Sequence, residues 1–452
     1  MPRIKKQSIG KKTQEKQLVF DTFLLYKKGG KNSMSATASK NCDCADGGIF
    51  PGLGIEPFQL DGVSIPAIAQ TMESFHVVRI KSGENTEATS QALYAVTQGG
   101  YLKRYFPSLE TFLDIHSNLP VKKILTVWQK DVGTWLFFIT PKKICVQKNG
   151  EGTITPICSE NRGLGCVCKK RVFYTKNSCD VAYSDFVNQE KAGNSLEGGG
   201  ILYGNEKDGV VQGLVAMEDS VVVLYEKGLK KMKICGSPTE FVIEGIEYNG
   251  EKIYYNTACV CSGAVFFLAK DGVYRYDGNR AQRVCEYLSV LPADDDGSCL
   301  SACHEGEYLL SYTSYDGVKT LVVIKGDGKN GYYSDYTTGL SGNGNRAIAQ
   351  KGSTIVEYER GKKSADGAYY YFVNYDDFGW KGNKTLKKLT FYGEGRMMVT
   401  VQGKDFYRKK QFTFEQGVWE WVMMEKSTEF AFLIQIEATS KLTKMVADVV
   451  YY

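Results

Sequence analysis

Apolar and polar residues alternate along this chain in short runs that glycine-containing turns interrupt. The stretch GAVFFLAKDGVYRYDG, residues 263–278, predicts a strand over Val265–Ala269, a two-residue turn at Asp271-Gly272 and a second strand over Val273–Tyr276. Asp-Gly favours a left-handed backbone at both central positions, which suits a type I′ turn. The pattern recurs in ALYAVTQGGYLKRYF at Gly99-Gly100, VVVLYEKGLKKMKI at Lys227-Gly228, YLLSYTSYDGVKTLVVI at Asp316-Gly317 and ADGAYYYFV at Asp366-Gly367. TWLFFITPKKICVQ near Pro141 and RVFYTKNSCDVAYS near Asn177 are weaker versions. The turns recur at roughly 35–50 residues, the length of a propeller blade. A small antiparallel sheet cannot bury both faces alone, and radial stacking of such sheets provides the core. The chain therefore reads as all-β, with a β-propeller of about six blades over residues 41–374. A β-sandwich built of regular hairpins, which spaces its turns similarly, is the competing arrangement.

The segment 375–452 changes character. Its strands are longer, and Leu389, Phe391, Met397, Val399, Val401, Phe412, Phe414, Phe430, Phe432, Ile434 and Ile436 fall at positions that bury one face. This predicts a C-terminal antiparallel β-sheet or sandwich module, with VADVVYY as its last strand. A helical signal occurs in SLETFLDIHSNLP, where Ser108 is a fitting N-cap and Phe112, Leu113 and His116 share a face.

Composition narrows the class. A hydrophobic fraction of 43% with 24% charged residues is that of a folded protein. The 29 tyrosines and 22 phenylalanines against 10 prolines favour strands, and 48 glycines supply turns. No apolar run is long enough to span a bilayer. The opening MPRIKKQSIGKKTQEKQLVF is basic but lacks the apolar core of a signal peptide. The net charge of +5 comes from interspersed charges, so only the lysine-dense start of a basic N-terminal arm, residues 1–40, offers a concentrated patch. That arm reads either as a solvated tail or as a contact with an acidic neighbour in an assembly.

Thirteen cysteines, an odd number without a secretory signal, read as thiols kept reduced in a cytosol. Cys42/Cys44, Cys166/Cys168 and Cys259/Cys261 are each two residues apart, so on a strand each pair projects to one side. Structural zinc sites use wider spacing. Cys299, Cys303 and His304 in CLSACHEG form the most metal-like group, but no second cluster has ligand spacing, and no metal or other cofactor is expected.

The remaining chemistry is sparse. Of the three histidines, His76 sits in the apparent strand ESFHVVRI, and packing accounts for it. No nucleophile-elbow, P-loop or H-E-x-x-H motif occurs. GNGNRA and LEGGGILYG do not link a strand to a helix as a phosphate loop does. Asp294–Asp296 offers clustered carboxylates without the spacing of a Ca²⁺ loop, and reads as an exposed turn. The aromatic run Tyr369–Trp380, with Tyr369, Tyr370, Tyr371 and Trp380, either stacks on sugar rings, forms an interface, or alternates between core and rim.

The order of these pieces resembles a known family. ASKNCDCADGGIFPGLGIEPF is similar to the opening N-x-x-x-x-x-G-x-L-x-x-x-x-G of phage tail nozzle proteins, also called tail tubular protein B or phage stabilisation proteins. KRVFYTKNSCDVAYSDFVNQ resembles their segment with a Tyr-Ser-Asp run. DGVVQGLVAMEDSVVVLYEKGLKKM is similar to their D-x-I-x-G-L segment, VFFLAKDGVYRYDGNRAQRV to their hairpin, and NKTLKKLTFYGEGRMMVTV to their C-terminal β-module. The resemblance runs in order over residues 40–452. This chain is shorter than typical members and richer in cysteine. The resemblance implies a non-enzymatic structural protein of a virion, made in the bacterial cytoplasm. It would form a homo-oligomeric ring around the DNA exit channel, touching other tail or neck proteins and, in passing, genomic DNA. No catalytic residue carries over. A host-surface or glycan-binding propeller, and a carboxylate-based glycoside enzyme using Asp295, are the competing functions.

Overall fold

The computed structural model describes residues 14–25, 33–44, 46–81, 89–129, 132–159, 161–184, 199–288, 290, 292–293, 298–364, 367 and 369–452. The chain divides into two compact units, one of Ile55–Gly331 with Tyr336–Glu359, the other of Met1–Gly54, Tyr332–Asp335 and Arg360–Tyr452. The first is a β-propeller of seven blades, one more than the turn spacing suggested.

Each blade is a four-stranded sheet, and in the first six the strands follow chain order. The innermost strands begin at Met72, Lys123, Gly165, Val211, Cys259, Leu300 and Thr338. Each neighbours the next, and Thr338–Asn343 returns to Met72–Lys81, so the sheets close a ring. Closure is hydrogen-bonded: the Met72 N–H donates to Gln350 Oε1 at 2.8 Å, Gln350 Nε2 to the Gln70 carbonyl at 2.9 Å, and the Phe75 N–H to Ser341 Oγ at 2.9 Å. The seventh blade takes its fourth strand, Gly54–Pro57, from far upstream in the sequence.

The second strand of a blade packs against both neighbouring blades, which is why its sequence does not alternate. Gly133–Ile139, Ser220–Tyr225 and Ala264–Ala269 are buried at every position. Apolar clusters fill the gaps between blades. Phe58, Met72, Phe75, Leu93, Ile348 and Ile355 join the seventh blade to the first.

Six of the predicted turns are the hairpins between second and third strands of the first six blades, from Thr97–Leu102 to Thr313–Lys319. The seventh hairpin pairs Lys351 with Thr354 and turns at Gly352, where φ is +60°. It lacks the Asp-Gly or Gly-Gly signal and went uncounted. Gly367 of the predicted Asp366-Gly367 turn belongs to the other unit, and Asp366 lies outside the described residues. In the opening hairpin Ala269 pairs with Gly272, so the central residues are Lys270 and Asp271 rather than Asp271-Gly272. The short helix expected from Ser108 is a 3₁₀ turn, Pro107–Leu109, followed by the strand Thr111–His116. That segment pairs with Leu102–Phe106, and the Phe112 ring meets Tyr105 at 5.3 Å, so sheet pairing overrides the local helical pattern.

In the second unit one hydrogen-bonded sheet folds into two layers. The strand Lys384–Gln402 pairs along its whole length with Tyr407–Ser427. On its other edge, Lys384–Glu394 pairs with Lys441–Tyr451, and Met397–Gln402 with Phe430–Ile436. Both long strands bend, at Gly393–Gly395 and at Gly417, where the register shifts. Arg408 and Glu425 of one strand consequently meet at 2.7 Å, and the Lys404 N–H reaches Ser427 Oγ at 3.2 Å. Bends that carry a strand from one layer to the other are a standard way of cornering a sandwich. Of the residues expected to be buried here, Leu389, Phe391, Met397, Val399, Val401, Phe412, Phe430, Phe432, Ile434 and Ile436 are buried. The Phe414 side chain lies outside the described set. VADVVYY is a strand, as expected.

The expected domain limits shift accordingly, since the propeller unit comprises Ile55–Gly331 and Tyr336–Glu359 rather than 41–374. Part of the expected basic arm, Gln14–Phe20, is a strand pairing with Phe20 opposite Met445 and Gln14 opposite Tyr451. Residues 1–13 lie outside the described set.

Candidate binding channel

Within each blade the innermost strand has one edge unpaired by its own sheet. Seven such edges surround a channel holding a cavity of about 770 Å³, with walls from Glu73 in the first blade round to Thr338 in the seventh. Among the described residues the lining carries three lysines, Lys122, Lys123 and Lys319, against one carboxylate, Glu73. Lys122 and Glu73 form an ion pair. The Lys319 ammonium stands 5.4 Å from the Tyr336 ring centroid, a cation–π distance. Lys123 is half-buried and, among the described residues, has no ion-pair partner.

The groups beside Lys123 are uncharged at neutral pH. Burial pushes the His76 imidazole down to about 4, and the Lys123 charge acts in the same direction against a hydrogen bond to the Val121 backbone. Burial pushes the Cys166 thiol up to about 12, although Lys123 pulls the other way. Ser74 Oγ lies 3.1 Å from His76 Nε2. A base titrating near 4 accepts a proton from a hydroxyl only weakly. What the channel offers is positive charge surrounded by neutral donors.

The structure separates the predicted aromatic patch. Tyr369 and Tyr371 are buried, with relative exposures of 3% and 0%. Tyr369 donates its hydroxyl hydrogen to the Lys362 carbonyl at 2.8 Å, and Tyr371 Oη engages the carbonyls of Leu24, at 2.8 Å, and Met34. Tyr370 is half-buried, while Trp380 is exposed with its ring edge-on to Tyr451 at 5.7 Å. Two of these four residues are core, so they cannot form a common sugar platform, and the reading of the run as alternating between core and rim holds.

Asp294–Asp296 lies outside the described residues. His304 is buried, and its Nδ1 accepts the Ala347 N–H at 3.4 Å. The thiols the sequence left scattered converge where the fifth and sixth blades meet. The Cys261 Sγ faces the Glu307 carbonyl at 3.7 Å and the Cys303 Sγ faces Asn345 Oδ1 at 3.6 Å. Interaction between the neighbouring thiols raises the Cys261 pKa and lowers that of Cys303. Among the described residues no group of three or more His, Cys, Asp or Glu side chains is arranged to hold a metal ion. Sequence reasoning missed the channel lysines, because nothing local marks Lys122-Lys123 or Lys319 as facing a common space. Only the ring closure brings the second and sixth blades to one channel.

Among the described residues no helix is long and apolar enough to cross a membrane. No family model matches the chain, and no curated protein does. Among solved structures it is similar to the extracellular domain of BT4673 from B. thetaiotaomicron at 11% identity and a TM-score of 0.44. That match covers 87% of this chain, which spans 59% of the matched one. U3-55K matches at 11% identity and a TM-score of 0.40, over 68% of this chain and 98% of its own. The WD40 domain of SCAP from fission yeast matches at 9% identity and a TM-score of 0.37, over 88% and 94%. The seven-bladed ring itself rests on the chain's own strand order and closure.

Proposed function

We propose that this chain is a structural, non-enzymatic component of a bacteriophage tail, of nozzle, neck or tail-tip type. It assembles through protein–protein contacts as a ring around the DNA exit channel, and particles carry it as their location. The observation that supports the reading is the colinear series of nozzle-like motifs and where its members fall. DGVVQGLVAMEDSVVVLYEKGLKKM is the body of the fourth blade, and VFFLAKDGVYRYDGNRAQRV supplies three strands of the fifth. NKTLKKLTFYGEGRMMVTV is the bent strand that joins the two layers of the sandwich. These three motifs thus fall on strands rather than on isolated turns.

Rigid blades with buried central strands suit a part that bears load by contact. Closed rings use heterologous, side-to-side interfaces. The glycan-binding alternative loses its platform with the burial of Tyr369 and Tyr371. Mass spectrometry of purified particles tests the proposal: the chain is expected in a fixed copy number of several per particle, and its absence from particles overturns the reading. Electron microscopy of the purified protein or the tail is expected to show a ring.

A further inference from the structure

The propeller channel has a charge imbalance that its own residues do not resolve. Lys122 has its counterion in Glu73, while Lys123 and Lys319 have no ion pair among the described residues. Strand direction places the three lysines at one end of the channel. Lys122 and Lys123 lie at the start of the innermost strand Lys123–Gln129, and Lys319 opens the third strand of the sixth blade, Lys319–Ile324. In an antiparallel sheet the first and third strands begin at the same end. Ser74 and Thr338 add hydroxyls at this end of the cavity. A half-buried ammonium beside neutral groups is stabilised by an opposite charge, and the cavity has room for one of small-metabolite size.

We infer that this end of the propeller channel is a binding site for a small anion carrying two or more carboxylate or phosphate groups, held by Lys123 and Lys319 with Lys122 alongside. Lys319 recruits the ligand at the rim, and Lys123 neutralises it inside. The site is independent of assembly, since every described lining residue comes from a single propeller.

Calorimetric titration of the full chain at low salt and pH 7, with pyrophosphate and with citrate separately, tests this. Saturable binding of either anion at one site per chain is expected, and the comparison distinguishes phosphate from carboxylate recognition. Lys123→Gln is expected to weaken binding about tenfold or more, the usual loss of a charge-assisted contact. Lys123→Arg, which keeps the charge, is expected to retain most of the affinity, and so separates lost recognition from lost folding. Lys142→Gln, on the exposed turn of the second blade, is expected to change nothing. No binding of either anion, or equal weakening by the Lys123→Gln and Lys142→Gln variants, overturns the inference.

Discussion

The rings of Phe391 and Phe412 lie 5.1 Å apart, although in the sheet Phe391 pairs with Trp419 and Phe412 with Met397. The contact exists because the hairpin doubles back, and it marks the middle of the sandwich core. The bends that allow it fall on glycines. Gly395 has φ +80°, and a Cβ there would stand 2.9 Å from Ser440 Cα, whereas Gly417 has φ +144° and open space around it.

Gly395→Ala is therefore expected to destabilise the second unit by about 2 kcal/mol or more, from backbone strain and the clash together. Gly417→Ala is expected to cost less, from strain alone. Gly245→Ala, at a position with neither positive φ nor a near neighbour, is the control. Urea unfolding midpoints measure all three, and equal effects would show that the bends do not depend on these glycines.

Phe58 follows the closing strand, with 2% exposure, and its N–H donates to the Ile355 carbonyl at 2.9 Å. Phe58→Ala removes a large ring from the cluster between the seventh and first blades, and is expected to cost about 3–5 kcal/mol. Because that junction closes the ring, thermal unfolding of the whole propeller should shift as one transition.

Tyr371→Phe deletes the hydroxyl that bonds the Leu24 and Met34 carbonyls. The expected loss is about 1–3 kcal/mol, the cost of leaving buried acceptors unsatisfied. Trp380→Ala, at 44% exposure, is expected to change stability far less. Chemical denaturation of both variants checks the division between core and rim within one aromatic run.

The pH dependence follows from His76. Its folded pKa of about 4 lies below the ordinary value of about 6.5. Between these values the unfolded chain binds a proton that the folded chain refuses, so stability falls as pH drops from about 6.5 towards 4 and this contribution levels off below. His116 and His304 are shifted in the same direction by burial. The difference between wild type and His76→Gln across this range isolates the channel histidine. Lys123→Gln is expected to raise the His76 pKa, which proton resonance titration reads directly.

Strand periodicity carried much of this fold. The hairpins at Gly100, Lys227 and Gly317 were legible because turn chemistry is local, and so was the one-sided burial of Val399, Val401 and Ile434. The seventh blade was not, because Gly54–Pro57 and Arg346–Lys351 share a sheet across nearly the whole propeller sequence. The channel was hidden for the same reason, since Lys123 and Lys319 become neighbours of one cavity only through closure. Tyr369 and Trp380 read alike in sequence, and packing alone sent one to the core and the other to the surface.

The closing strand also sets a schedule for synthesis. Gly54–Pro57 leaves the ribosome early, and its partner Thr354–Glu359 follows some 300 residues later, a wait of roughly 15–60 s at ordinary elongation rates. During that interval the nascent segment keeps an unsatisfied edge, and six blades accumulate without a latch. Maturation of this protein is consequently gated by translation of its last blade, and ribosome pausing downstream of residue 324 would lengthen the exposure of an aggregation-prone intermediate.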